Sequence, residues 1–259
     1  MKKIILFLLL TSIILLGGQC AQKQATTTGP FVGGSNGVSV NFDTESGAPP
    51  AQFDVKDTVP LRFILKNNGE YDISAGEAKV KVEGVLLSSF GLSESYTSTT
   101  GPLRGISKFI SEGEEQRVGI ANINYKESVT REQEFTLVGK VCYPYETNAQ
   151  LKVCMGKTTN KDAICPLTGE KLASGSVSSA PVQITSITQE PYATNKVLLK
   201  ITIENKGKGK SYSNDNSCDN IASTTDENIV YMELNEGISC RFLEGESNKG
   251  KVKLSAGRT

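Results

Sequence analysis

From Ala78 to Val85 the sequence runs Ala-Lys-Val-Lys-Val-Glu-Gly-Val, with an apolar residue at almost every second place. Side chains two apart share one face of a strand, whereas a helix brings together residues three and four apart. A stretch patterned this way buries one face of a sheet and leaves the other wet. The same alternation marks Val38, Val40 and Phe42, then Val59 to Lys66, Val118 with Ile120, and Phe135 to Val141. It returns over Val182 to Glu190 and Val197 to Glu204, and further strands are expected at Ile229 to Leu234, Ile238 to Phe242 and Lys251 to Leu254. Beyond the leader, no stretch of useful length carries a helical period. The pattern predicts an all-β protein.

The leader is of another kind. Lys2 and Lys3 precede the apolar run Ile4 to Leu16, and Gly17, Gly18, Gln19 and Cys20 follow before the chain turns polar. A basic start, an apolar core and small residues before a cut site describe an export signal. As a helix the run would reach about 20 Å, short of a bilayer core of about 30 Å. Leu16-Gly17-Gly18-Gln19-Cys20 resembles the lipobox of bacterial lipoprotein signals, which implies lipidation at Cys20. Two acyl chains there would give a lasting anchor. An ordinary cleaved signal and an uncleaved helix remain the alternatives. The expected location is extracytoplasmic and membrane-anchored, at the cell surface.

Several functions are disfavoured by composition. Removing the signal takes two lysines from a balance of 28 basic and 28 acidic residues, leaving no basic field for nucleic acid. The chain has no histidine and no tryptophan. Histidine is the usual general base near neutral pH and the commonest metal ligand. Gly33-Gly34-Ser35-Asn36-Gly37 matches the G-x-S-x-G string of hydrolases, but that motif needs a preceding strand, a following helix and a base. No catalytic residues and no cofactor are assigned. Ser213-Asn214-Asp215-Asn216-Ser217-Cys218-Asp219 offers hard oxygens for calcium, yet lacks EF-hand spacing and reads better as a turn-rich loop.

Five cysteines remain besides Cys20: Cys142, Cys154, Cys165, Cys218 and Cys240. In an exported chain these predict disulfides, and no close C-x-x-C pair supports zinc or redox chemistry. A hairpin from Val141 to Met155 would set Cys142 opposite Cys154; alternatively, Cys154 and Cys165 staple the loop between them. Cys218 and Cys240 flank a Ser/Asn-rich loop and form a further expected pair, and one cysteine is left over.

Organisation follows from composition. Residues 1–20 are signal and anchor, 21–36 a flexible stalk, 37–173 the first domain, 174–180 a Ser-rich linker and 181–259 the second domain. The irregular stretch from Ser88 to Ile110 carries Phe90, Tyr96, Leu103 and Phe109 and is a candidate binding loop. Leu61-Arg62-Phe63-Ile64-Leu65-Lys66-Asn67-Asn68-Gly69 repeats 138 residues later as Leu199-Lys200-Ile201-Thr202-Ile203-Glu204-Asn205-Lys206-Gly207. This strand with its Asn-x-Gly turn resembles the cell-adhesion-related (CARDB) group of immunoglobulin-like domains. Together with Gly29-Pro30-Phe31-Val32-Gly33-Gly34 and Ala180-Pro181-Val182, it is also similar to tandem surface lipoproteins of archaeal genomes. The resemblance implies two immunoglobulin-like β-sandwiches in tandem and transfers no catalytic residue. The second domain has about five recognisable strands against about seven in such a sandwich, which is expected if it is incomplete. The implied role is a non-enzymatic surface protein serving adhesion, envelope structure or partner binding, with membrane lipid and an unknown envelope partner as contacts. The alternative is a solute-binding component that presents a ligand to a transporter.

Overall fold

A computed structural model describes residues 29–156, 165–193, 196–213, 217–221, 226–235 and 247–255. It is all-β. Apart from two 3-10 turns, Thr44–Ser46 and Leu87–Phe90, the regular elements are strands. Strands β1 (Val38–Phe42), β2 (Val59–Asn67) and β5 (Glu115–Ile123) form one antiparallel sheet in the order β1-β2-β5. Strands β4 (Thr97–Ser98), β3 (Lys79–Glu83) and β6 (Val138–Cys142) form a second, in the order β4-β3-β6.

The alternation in the sequence becomes the packing. Val59, Leu61, Phe63 and Leu65 of β2 are buried, while the residues between them are more open to solvent. They share one core with Val80 and Val82 of β3 and Val118 and Ile123 of β5, so the two sheets face each other. The sheets approach closely at one point. A Cβ on Gly139 of β6 would lie 2.5 Å from the Phe63 ring, which leaves room only for glycine opposite that side chain. Phe42 packs on the same ring, with centroids 4.5 Å apart. Strand β6 starts later than the apolar run suggests. Phe135 is drawn out of the ladder to meet Phe90 edge-on at 5.1 Å and Tyr125 at 5.0 Å.

Further along, β7 (Gly169–Glu170), β8 (Val182–Ala193) and β9 (Lys196–Asn205) form a third antiparallel sheet. Strands β10 (Ile229–Glu233) and β11 (Lys249–Lys253) pair separately. The expected strand from Ile238 to Phe242 lies outside the described residues. Gln189 of β8 is fully buried and fully used: its amide donates to the carbonyls of Cys154 (2.6 Å) and Leu167 (3.0 Å) and accepts from the Cys154 N–H (3.2 Å). That amide sews the segments around 154 and 167 onto β8.

The repeated motif has the same geometry in both places. Val38 faces Asn67 across β1 and β2, and Val182 faces Asn205 across β8 and β9. The N–H after each asparagine, on Asn68 and on Lys206, donates to the carbonyl just before the paired strand, on Gly37 and on Pro181. Asn67 Oδ1 accepts from Gly69 N–H at 3.1 Å, and Asn205 Oδ1 accepts from Gly207 N–H at 3.0 Å. Four residues on from each asparagine, a carbonyl takes its Nδ2 donor: Tyr71 at 2.6 Å and Gly209 at 2.8 Å. An asparagine side chain thus stands in for backbone where each strand gives way to its turn. Asn67 also donates to the Leu103 carbonyl at 2.9 Å and is fully buried.

Of the pairings the spacing suggested, the Cys154–Cys165 staple is the one that forms, whereas Cys142 bonds to Cys218 and not to Cys154. Cys142 does not face Cys154 because no hairpin forms after β6. Residues 148–150 pair instead with 176–178, through an Ala149–Val177 bridge and the Gln150 N–H to Ser176 carbonyl bond at 2.8 Å. Cys218 is taken by Cys142 and so is not bonded to Cys240, which lies outside the described residues. In the chain-entropy model, a closed loop of 76 residues stabilises by about 4.5 kcal/mol and one of 11 by about 3 kcal/mol.

Two predictions follow from these contacts. Replacing buried Asn67 by alanine orphans the Gly69 N–H and the Tyr71 carbonyl, and should cost about 2–3 kcal/mol in urea unfolding. Asn205→Ala, at a half-open site, should cost about 1 kcal/mol. The second concerns Glu170. Its carboxylate is held down to about 2 by hydrogen bonds from the Ser186 hydroxyl and from the Ile187 and Leu172 N–H groups. Its unfolded value is about 4.3, so the stabilisation is complete above that pH and fades as pH falls toward about 2. The stability gap between the native chain and Glu170→Gln should therefore be largest near neutrality and close across that window, measured by urea midpoints in a pH series.

Candidate functional site

The residues nominated as a binding loop do not converge. The 3-10 turn over Leu87–Phe90 points Phe90 into the core, and Leu103 is fully buried as the bridge partner of Ile73. Tyr96 lies half-buried beneath the Lys81 ammonium, 5.1 Å from ring centroid to Nζ. Phe109 alone stands out in water, 98% exposed. The scattered spacing concealed that two of the four are ordinary core residues.

Polar groups converge instead where the two halves of the chain meet, and the centre is a residue that sequence reasoning missed. Glu70 follows the Asn67-Asn68-Gly69 turn. One oxygen of its carboxylate accepts from Val32 N–H at 2.9 Å; the other accepts from Gly33 N–H at 2.9 Å and Ser179 N–H at 2.7 Å. Three backbone donors from two distant segments thus share one anion, the strong class of hydrogen bond. Tyr145 closes the other side. Its hydroxyl donates to the Ser179 carbonyl at 3.2 Å and accepts from Tyr71 N–H at 3.4 Å. Burial pushes that phenol up to about 12. A Cβ on Gly69 would lie 1.7 Å from this hydroxyl, so the turn glycine is what lets the ring in.

These contacts revise the stalk and linker at the positions described. Ser176, Val177, Ser178, Ser179 and Ala180 are buried. They run between residues 29–34 on one side, through Gly29 N–H to the Ser174 carbonyl and Phe31 N–H to the Gly175 carbonyl, and residues 148–150 on the other. A Cβ on Gly29 would sit 2.0 Å from the Gly175 carbonyl oxygen. Small residues here serve close packing of backbone rather than looseness. The G-x-S-x-G string has the same use: Gly33 and Gly34 adopt positive φ, and Asn36 N–H meets the Ser179 hydroxyl at 3.3 Å.

Beside this junction an open cleft runs between two walls. Lys79, Lys81 and Lys140 lie on one, and Ile184, Ile201 and Ile203 on the other. The lysines are all paired: Lys79 with Asp219, Lys81 with Glu83 at 2.8 Å and Lys140 with Glu83 at 3.4 Å. The hydrogen bond to Glu83 holds the Lys81 ammonium above the usual lysine range. Lys79–Asp219 and Cys142–Cys218 are adjacent ties across the same gap, since Lys79 faces Cys142 in the β3–β6 ladder.

Cys20 and residues 214–216 of the nominated calcium loop lie outside the described residues. Asp219 of that loop is committed to Lys79. Among the described residues no cluster of three or more histidine, cysteine or acidic side chains could hold a metal, and no helix is long and apolar enough to cross a membrane.

Glu70→Gln sets an amide N–H₂ against backbone donors and removes the charge. The variant should lose about 2–3 kcal/mol, and residues 29–36 and 174–180 should become the first sites of proteolytic nicking and fast amide exchange. Unchanged protection at both segments would sink this account of the junction.

Comparison with protein-family models, with curated proteins and with solved structures gives no match.

Proposed function

We propose that this chain is a membrane-anchored surface protein built from two immunoglobulin-like β-sandwich units, at 37–173 and 181–259, that work as one stiff body in adhesion, envelope structure or partner presentation. The observation that carries the reading is the Cys142–Cys218 bond across a junction whose connecting segment is buried. A covalent tie of this kind suits an oxidising compartment outside the cytoplasm. It also suits a part that must keep its shape. A two-lobed solute-binding component needs a hinge, and here the segment where a hinge would fall is held by Glu70 and Tyr145. The matched registers around Asn67 and Asn205 support a tandem duplication. A non-enzymatic role draws on the absence of histidine from the sequence and on the engagement of Lys79, Lys81 and Lys140 in ion pairs along the cleft.

The full chain, expressed with its leader in a bacterial host, tests this reading. It should sediment with membranes and release only into detergent, and Cys20→Ser should move it to the soluble fraction. Thiol labelling after denaturation should find Cys142, Cys154, Cys165 and Cys218 unreactive until reduced. A cytoplasmic chain with all of these thiols free would overturn the proposal.

A further inference from the structure

Phe109 is 98% exposed and its neighbour Ile110 is 54% exposed. Single apolar residues on a surface need no explanation. Two large adjacent ones at the tip of a fixed projection are different, because the projection holds them in water. The tip is clasped: Ser107 N–H donates to the Ile110 carbonyl at 2.8 Å, and Ile110 N–H returns to the Ser107 carbonyl at 3.2 Å. The Ser107 hydroxyl also accepts from the N–H groups of Phe109 (3.2 Å) and Ile110 (3.1 Å). Its base is tied down as well. Ile106 N–H donates to the Gly69 carbonyl at 2.8 Å, Gly105 N–H to Asp72 Oδ1 at 2.7 Å, Glu114 N–H to the Arg104 carbonyl at 2.8 Å and Arg104 N–H to Glu114 Oε2 at 3.0 Å. The apolar pair therefore stands on the Glu70 junction rather than on a loose loop.

Its position says what it faces. Lys108 Nζ contacts the carbonyl oxygen of Gly29, so the tip lies beside the point where the described chain begins. The apolar run Ile4 to Leu16 and Cys20 lie upstream of that point. Residues 21–28 can span at most about 30 Å, so an anchor at Cys20 keeps Gly29 within that distance of the bilayer. We propose that the Ser107–Ile110 tip is a membrane contact: Phe109 and Ile110 enter the boundary between headgroups and acyl chains, and Lys108 lies at the level of the lipid phosphates. This rests on the anchored reading proposed above. It adds a second point of attachment, which fixes the orientation of the body relative to the bilayer where a single tether would leave it free to swing. Amphipathic helices that lie at that boundary bury their apolar faces about 5–10 Å deep, a depth within reach of two large side chains on a turn.

The absence of tryptophan from the sequence supplies a clean probe. Phe109→Trp in the full chain places a single indole at the tip, and Tyr192→Trp, at a position 71% exposed in β8, serves as the remote control. Both are reconstituted into mixed phosphatidylcholine–phosphatidylglycerol vesicles and recovered by flotation. The tip reporter should emit at shorter wavelength with vesicles than in detergent-free buffer. Lipids brominated near the carbonyl should at least halve its emission, and those brominated at the chain end should quench it less. The control should respond to neither. A chain that floats while the tip reporter stays unquenched overturns the contact and leaves the anchor standing. A chain that fails to float overturns both. A concentration-dependent blue shift without lipid assigns the tip to a second copy of the chain and also overturns the proposal.

Discussion

Three backbone N–H groups, from Val32, Gly33 and Ser179, end on the carboxylate of Glu70, and much of the arrangement follows from satisfying them. A donor removed from water and left unpaired costs about 1–3 kcal/mol, so segments that share this anion are committed to each other. The carboxylate reaches them only because of the turn before it. Asn67 fixes that turn with its side-chain amide, and Gly69 leaves the space through which Tyr145 approaches from the opposite side. A strand end, a turn and an ion-assisted clamp thus form one dependency running from β2 to the junction.

The parts of the fold legible in the sequence are those written locally. Strands β2 and β3 show alternation because each buries one face, β9 keeps one side less exposed than the other, and the Asn-x-Gly turns follow β2 and β9 where the alternation stops. Even the repeat was visible, since an amide side chain capping a strand end leaves both an apolar pattern and a fixed residue behind it. What could not be seen is set by distant partners. Glu70 is one of many glutamates until Ser179, 109 residues away, is brought beside it. Phe90 and Leu103 looked like loop residues because their neighbours are polar, yet a 3-10 turn and an isolated bridge turn them inward.

Composition also misled in an instructive way. The run Ser174-Gly175-Ser176-Val177-Ser178-Ser179 has the residues of a flexible linker, and flexibility is one use of small side chains. Close approach of two backbones is another, and the Gly29–Gly175 contact is of that second kind. The partner of Cys142 escaped for a related reason. In place of the hairpin that would have joined Cys142 to Cys154, residues 148–150 pair with the buried segment 176–178.

The Cys142–Cys218 bond has a mechanical meaning that its place in the fold does not advertise. A pull applied between the N-terminal end and any point beyond Cys218 passes straight across the sulfur–sulfur link. The 76-residue interval it spans holds the whole of β7, β8 and β9, roughly 250 Å of chain if drawn out straight. None of that contour can contribute to extension while the bond holds. Under tension the hydrogen bonds of β7, β8 and β9 can be lost without lengthening the distance between Cys142 and Cys218.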